Sequence, residues 1–210
     1  MIRVTTVAFA VAALAMLPAG VAAQAPSLKN PASLKEQAPD AYKVRLDTSA
    51  GPVVIQVTRA LAPLGADRFY NLVKNGFYDE ARFFRVLPGF MAQIGMNGDP
   101  SIQKVMGVAR FNDDPVKGSN KRGFVTFAKT GQPNSRSTQF FINFADNSRL
   151  DKDGFAPFGE VIEGMAIVDK LHSYGSNNVP DQGRITNEGN PYLAKEYPKL
   201  DYIRKATIEK

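Results

Sequence analysis

The stretch "ARFFRVLPGFMAQ", Ala81 to Gln93, sets Arg85 inside an apolar run. Eight of its thirteen residues are Phe, Val, Leu, Met or Ala, a composition that reads as buried strand. Desolvating a guanidinium is costly, so arginine is rarely buried without a partner. Either Arg85 reaches the surface along its own stem, or it lines a cavity where a ligand completes its hydrogen bonds.

Working outward, the first residues read as a leader rather than as part of the fold. Met1-Ile2-Arg3 supplies a positive start, and Val7 to Leu17 an apolar core of the length a secretory signal needs. That run is short for a membrane span. Val21-Ala22-Ala23 offers the small residues a signal peptidase reads, so residues 1–23 are expected to be removed before Gln24, with a cut after Ala25 the weaker choice because Pro26 would follow it. With no cysteine to lipidate, the expected product is soluble and exported to the periplasm, with full secretion the alternative. Nor can disulfides help, so core packing alone must hold the domain. Its length suits one core. The net charge of +6 falls to +5 without Arg3, 25 basic against 20 acidic residues, and no basic run exceeds two. Such scattered charge reads as a solvated surface and not as a nucleic-acid patch.

Residues 24–41, "QAPSLKNPASLKEQAPDA", lack a sustained apolar period and read as a flexible tether, leaving 42–210 as the folded domain. From Tyr42, Val44 and Leu46 alternate, the chain breaks at Ser49-Ala50-Gly51-Pro52, and Val53, Ile55 and Val57 resume: a hairpin. Phe69, Leu72 and Val73 stand at helical spacing before a stop at Gly76. Residues 82–94, 122–128 and 138–144 read as strands separated by turn-rich segments. A second helix is expected over Glu163 to Ser173, where Met165, Val168 and Leu171 share a face. Asn177 to Lys199, with four Asn, three Pro and two Gly, reads as an irregular excursion. "LDYIRKATIE" closes the chain as a strand. Many short strands and two helices favour a mainly β fold, a closed antiparallel barrel with helices over its ends.

Several chemistries are excluded by what is missing. His172 is the one histidine and there is no cysteine, so a thiol nucleophile and a histidine-rich metal site are both ruled out. His172 falls at the end of the expected second helix, where a histidine favourably faces the dipole. Ser137 and Thr138 have no base beside them in sequence. Asp146, Asp151 and Asp153 lack the Gly and Glu of a calcium loop. No metal or cofactor is expected.

What remains is an arginine, glutamines and many aromatic side chains. Here "FYDEARFFRVLPGFMAQIG" closely resembles the motif of the cyclophilin-type peptidyl-prolyl isomerases, Phe-His-Arg-Val-Ile-Pro-Gly-Phe-Met-x-Gln-x-Gly. "STQFFINFADNSRLD" from Ser137 and "FAPFGEVIEGMAIVDKL" from Phe155 agree with the same family in order and spacing. The resemblance covers residues 42–174 and the last strand. It implies a closed eight-stranded antiparallel β-barrel capped by two α-helices, and an enzyme that accelerates rotation about X–Pro bonds in unfolded or flexible polypeptides, assisting their folding.

That function suits the residues. Rotation about a peptide bond meets a resonance barrier of about 18–20 kcal/mol, and no covalent step is needed to lower it. As the bond twists, the prolyl nitrogen gains a lone pair, and a donor aimed at it binds the twisted state alone. Arginine is always charged and offers several donors. By the resemblance, Arg85 is the catalytic donor and Gln93 contacts substrate or orients Arg85. Phe90, Met91, Phe141 and Leu150 line the proline pocket. Gln139 sits beside the peptide groove, and the backbone at Ala128 and Lys129 pairs with extended substrate. Phe83, Phe84, Phe140 and Phe144 read as ordinary core, since Phe140 and Phe141 must face opposite ways on one strand.

Four positions depart from the better-known pattern. Phe84 stands where many members have His, Lys129 replaces an Asn, Arg149 a Trp, and Phe155 falls where many have His. Arg149 and Phe155 are still expected at the substrate site. A non-catalytic proline-peptide-binding chaperone or scaffold is the rival reading, but a pure binder needs the pocket and not the donor. A lipocalin-like barrel for apolar ligands would leave the three motifs unexplained. The expected partners are proline-containing polypeptides, with no nucleic acid, no membrane insertion after leader removal, and a monomeric enzyme.

Overall fold

The computed structural model describes residues 26–209. The leader over residues 1–23 and its cut before Gln24 lie outside the described residues.

Eight antiparallel strands form one curled sheet: β1 Ala41–Thr48, β2 Gly51–Thr58, β3 Arg85–Leu87, β4 Met91–Ile94, β5 Phe124–Phe127, β6 Phe140–Asn143, β7 Pro157–Glu163 and β8 Ile203–Glu209. Their order across the sheet is β3-β4-β6-β5-β7-β2-β1-β8. The β1–β2 hairpin follows the sequence alternation: Tyr42, Val44, Leu46 and Thr48 are buried while their neighbours are exposed. Helix α1, Pro63–Lys74, packs inside the curl, with Phe69 against Tyr78, Phe140 and Phe158 at ring separations of 5.0–5.5 Å. Pro63 begins the helix where its missing N–H costs nothing. Gly76, at φ +71°, ends it by closing hydrogen bonds back to Val73 and, from Phe77, to Leu72.

The expected closed barrel is corrected to a curled half-barrel. The end strands β3 and β8 do not pair with each other. The seam is spanned by the residues ahead of each: Arg82 bridges Tyr202, and Phe83 N donates to Asp201 O at 2.9 Å. Three residues of β3, ended by the Pro88-Gly89 turn, are too few to extend a ladder along that edge.

Three further differences concern local order. The expected tether is packed against the domain at Leu28 and Ala38, both buried. Helix α1 turns Asp67, Asn71 and Lys74 towards it. Ala38 N donates to Asp67 (2.9 Å), Asn71 Nδ2 to Glu36 O (2.7 Å), and Lys74 pairs with Glu36 (2.6 Å). Composition hid this, because the partners belong to another element. The second helix is cut short: α3 is only Met165–Val168. The spacing of Met165, Val168 and Leu171 also fits tight three-residue turns, and the Ser173 hydroxyl draws the chain away by donating to Val86 O (2.6 Å). His172 therefore does not end a helix; its ring meets Tyr174 edge-on.

The excursion is more regular than its composition implied. It carries α4, Gln182–Glu188, and α5, Asn190–Glu196, while α2, Pro100–Met106, occupies a stretch with no earlier assignment. Asp181 caps α4 by accepting from Arg184 N, and Pro191 opens the first turn of α5. Ile185, Tyr192, Leu193 and Leu200 form a second apolar cluster with Met96 and Phe84. Gly189, at φ +65°, lets the α4–α5 junction touch the backbone at Gly98, which a Cβ would meet at 2.2 Å.

Candidate active site

Cross-strand register assembles the site. Arg85 on β3 faces Gln93 on β4, Gln93 faces Phe141 on β6, and Phe141 faces Thr126 on β5, so these four share one row. The next row, Val86, Ala92, Ile142 and Val125, points to the opposite face and into the main core. Phe140 joins that core and Phe141 does not, as alternation requires. Phe83 and Phe144 also pack in the main core, and Phe84 in the second cluster.

Arg85, Gln93 and Phe141 of the outward row floor a cavity of about 290 Å³. Arg85, Phe90, Met91, Gln93, Ala128, Lys129, Phe141, Leu150 and Phe155 line it, all of them residues singled out in the sequence. Phe141 and Phe155 meet at 5.8 Å, and the Lys129 ammonium lies 5.6 Å over the Phe155 ring. Gln139 stands one step back, in a neighbouring recess. Arg149 does not line the cavity: it stacks 5.0 Å over Phe90 and donates to Asn147 (3.0 Å). Gln182, at the start of α4, is a lining residue that sequence reasoning missed. Its signal was present in the Asp181 cap and the apolar Ile185, but averaging composition over the whole excursion buried it.

A directional chain of hydrogen bonds crosses the floor. Arg85 Nη1 donates to Gln93 Oε1 (3.0 Å), Gln93 Nε2 to Gln139 Oε1 (2.8 Å), and Gln139 Nε2 to Gln182 Oε1 (3.0 Å). A guanidinium can only donate, so Gln93 must present its oxygen to Arg85 and its NH₂ onward. Arg85 thus fixes the orientation of every amide in the chain. Among the described residues, Gln93 is its one hydrogen-bond partner, and Arg82 Nε is the one buried side-chain nitrogen or oxygen lacking a partner. The other Arg85 donors are therefore accessible at the cavity. Burial pulls the Arg85 pKa down from its ordinary value. A guanidinium is not deprotonated in proteins, so the side chain stays charged at neutral pH.

A buried polar network that the sequence did not reveal holds three of the walls. Asn120 Nδ2 donates to Asp151 (2.7 Å) and to Phe155 O (2.8 Å), while its Oδ1 accepts from the Thr126 hydroxyl (2.7 Å). Asn147 Nδ2 donates to Phe90 O and to Asn143 Oδ1, both at 2.8 Å. Phe90, Phe155 and the turn bearing Leu150 are thereby anchored from beneath. No group of three or more His, Cys, Asp or Glu among the described residues is arranged to hold a metal ion.

The family model described as cyclophilin type peptidyl-prolyl cis-trans isomerase/CLD matches residues 43–190. The chain belongs to that family. This cyclophilin is 37% identical over 150 residues to the peptidyl-prolyl cis-trans isomerase of Acinetobacter baylyi, covering 66% of this chain and 79% of the relative. A probable peptidyl-prolyl cis-trans isomerase of Brucella abortus is 34% identical over 176 residues, with 79% and 82% covered. In fold, the cyclophilin resembles the crystal structure of a Cryptosporidium parvum cyclophilin-type isomerase, with a TM-score of 0.62 at 22% identity, covering 81% of this chain and 98% of that one. That protein was also solved in the presence of the dipeptide Ala-Pro (TM-score 0.60). Peptidyl-prolyl isomerisation is the activity of this cyclophilin's family, and of the chain as a member.

Proposed function

We propose that the cavity holds the substrate proline and that Arg85 is the catalytic donor. The observation that carries this is a charged guanidinium oriented by one amide, with its remaining donors open on an aromatic recess. Phe90, Met91, Phe141, Leu150 and Phe155 offer an apolar, low-dielectric seat for the pyrrolidine ring. Gln93 keeps Arg85 in place. When the X–Pro bond twists, the prolyl nitrogen becomes an acceptor, and a preorganised donor stabilises that state without reorganising. No proton is transferred and no bond is broken, so neither a cofactor nor a base is required.

The substrates we propose are extended, proline-containing segments of unfolded or flexible proteins, which fits an open groove and the Ala-Pro dipeptide used with the Cryptosporidium relative. The pattern of the first 23 residues supports export to the periplasm, which fractionation of cells expressing the full chain tests. No helix among the described residues is long and apolar enough to cross a membrane.

Arg85→Ala tests the donor role. Losing one donor aimed at transition-state charge costs about 2.7–4 kcal/mol, about 10²–10³ in rate. In a protease-coupled assay the variant should lose kcat/KM by that factor while still binding proline peptides. The wild-type rate should stay flat between about pH 6 and 8.5, because no group with a pKa in that range takes part. Near-full activity of Arg85→Ala, or a bell-shaped profile with the fold intact, refutes the assignment. Binding without turnover in the wild type would favour the scaffold reading.

A further inference from the structure

Beside the proline cavity lies a second recess of about 280 Å³ that shares Gln93, Ala128, Lys129 and Gln182 with it and adds Gln139. Arg110 and the hydroxyl side chains of Thr130, Ser135 and Ser137 help to complete its wall. No carboxylate lines either cavity, whereas Arg85, Arg110 and Lys129 do. Among the described residues, neither Arg110 nor Lys129 forms an ion pair. Two acidic residues close in sequence to these walls are already engaged: Asp113 with Arg136, and Asp181 in capping α4.

The backbone on either side of Arg110 is tied down. The Arg68 guanidinium donates to Ala109 O and to Ser137 O, and Phe111 N donates to Arg136 O. The cation is thus presented from a fixed segment rather than from a loose loop. Unpaired cations around a recess favour an anion there and disfavour another cation.

We infer that this recess is a specificity subsite for an acidic side chain, Asp or Glu, carried by the substrate near its proline. The inference rests on the proline-cavity reading above. An extended chain advances about 3.3–3.6 Å per residue, and the two recesses share walls, so the acidic residue lies within about three positions of the proline. Lys129 belongs to both recesses and couples them. Gln182 extends the same wall from the α4–α5 excursion, which gives that excursion a part in substrate choice.

The test compares kcat/KM for proline peptides carrying Gln, Glu or Lys at each of the three positions on either side of the proline, at low salt. At one or more positions Glu should exceed Lys by on the order of tenfold, since each exposed charge pair is worth a few-fold. The ratio should shrink as salt shortens the reach of the charges. Arg110→Glu should cancel or invert it. Rates for Glu and Lys peptides within about twofold at every position, or a preference unchanged in Arg110→Glu, overturn the inference. Turnover of the Gln peptides separates the two claims: without it the isomerase reading fails, and with it but no charge preference the subsite alone fails.

Discussion

Replacing Asn120 by alanine probes whether the buried network beneath the Arg85 cavity holds its walls. Asn120 and Thr126 are both fully buried. The substitution takes the acceptor from the Thr126 hydroxyl and the side-chain donor from Phe155 O, bonds of 2.7 and 2.8 Å. Asp151 suffers less, because it keeps the Asn120 backbone N–H (2.9 Å) and the Ser119 hydroxyl (2.5 Å). Each buried group left unpaired costs about 1–3 kcal/mol, so two such groups predict a loss of about 2–6 kcal/mol. Urea unfolding of wild type and variant reads this as a shift in midpoint at constant slope. A double-mutant cycle with Thr126→Val sharpens the test. Valine removes the hydroxyl that Asn120 satisfies, so the pair should cost about 1 kcal/mol or more less than the sum of the singles. In the isomerase assay KM should rise more than kcat falls, since the network touches the walls at Phe155 and Leu150 and not the Arg85–Gln93 pair. A destabilisation below about 0.5 kcal/mol, or strict additivity with Thr126→Val, would refute the claim that Asn120 anchors this wall.

Gln93→Glu would set a carboxylate against Arg85, drawing its donors into an ion pair and breaking the amide chain to Gln139; activity should fall at neutral pH and recover partly on acidification, a titration absent from wild type. Asp114 is buried, and burial raises its pKa although Leu64 N and Gly65 N at the start of α1 donate to it. With a folded value above the unfolded one, the native state holds this proton more tightly, so its contribution to stability declines as pH rises from the unfolded value through the raised one. Asp114→Asn should remove that part of the slope, as unfolding across the acid range will show. Leu28→Ala should cost about 2–5 kcal/mol as a buried-leucine truncation, measured by chemical denaturation; a loose tether would lose nothing.

Alternation at Val44 and Leu46, the Gly76 stop and the split between Phe140 and Phe141 were all legible in the sequence, because each depends on local periodicity that the backbone imposes wherever the chain ends up. The three motifs likewise held Arg85, Phe90, Met91, Gln93, Phe141, Leu150 and Phe155 of the cavity lining, since a motif keeps chemically necessary residues at spacings fixed by strand and turn. Other features depended on partners distant in sequence. Residues 26–41 are ordered by side chains of α1, the walls of the Arg85 cavity by Asn120 and Asn147 reaching across loops, and the α4–α5 excursion by Phe84 and Met96 across the sheet edge. Whether the barrel closed was also undecidable from strand count, because closure depends on how far β3 runs alongside β8. A polar or turn-rich segment carries no sign of whether a complementary surface waits for it. Only the tertiary structure supplies that surface, and with it Gln182 and Arg110 at the groove.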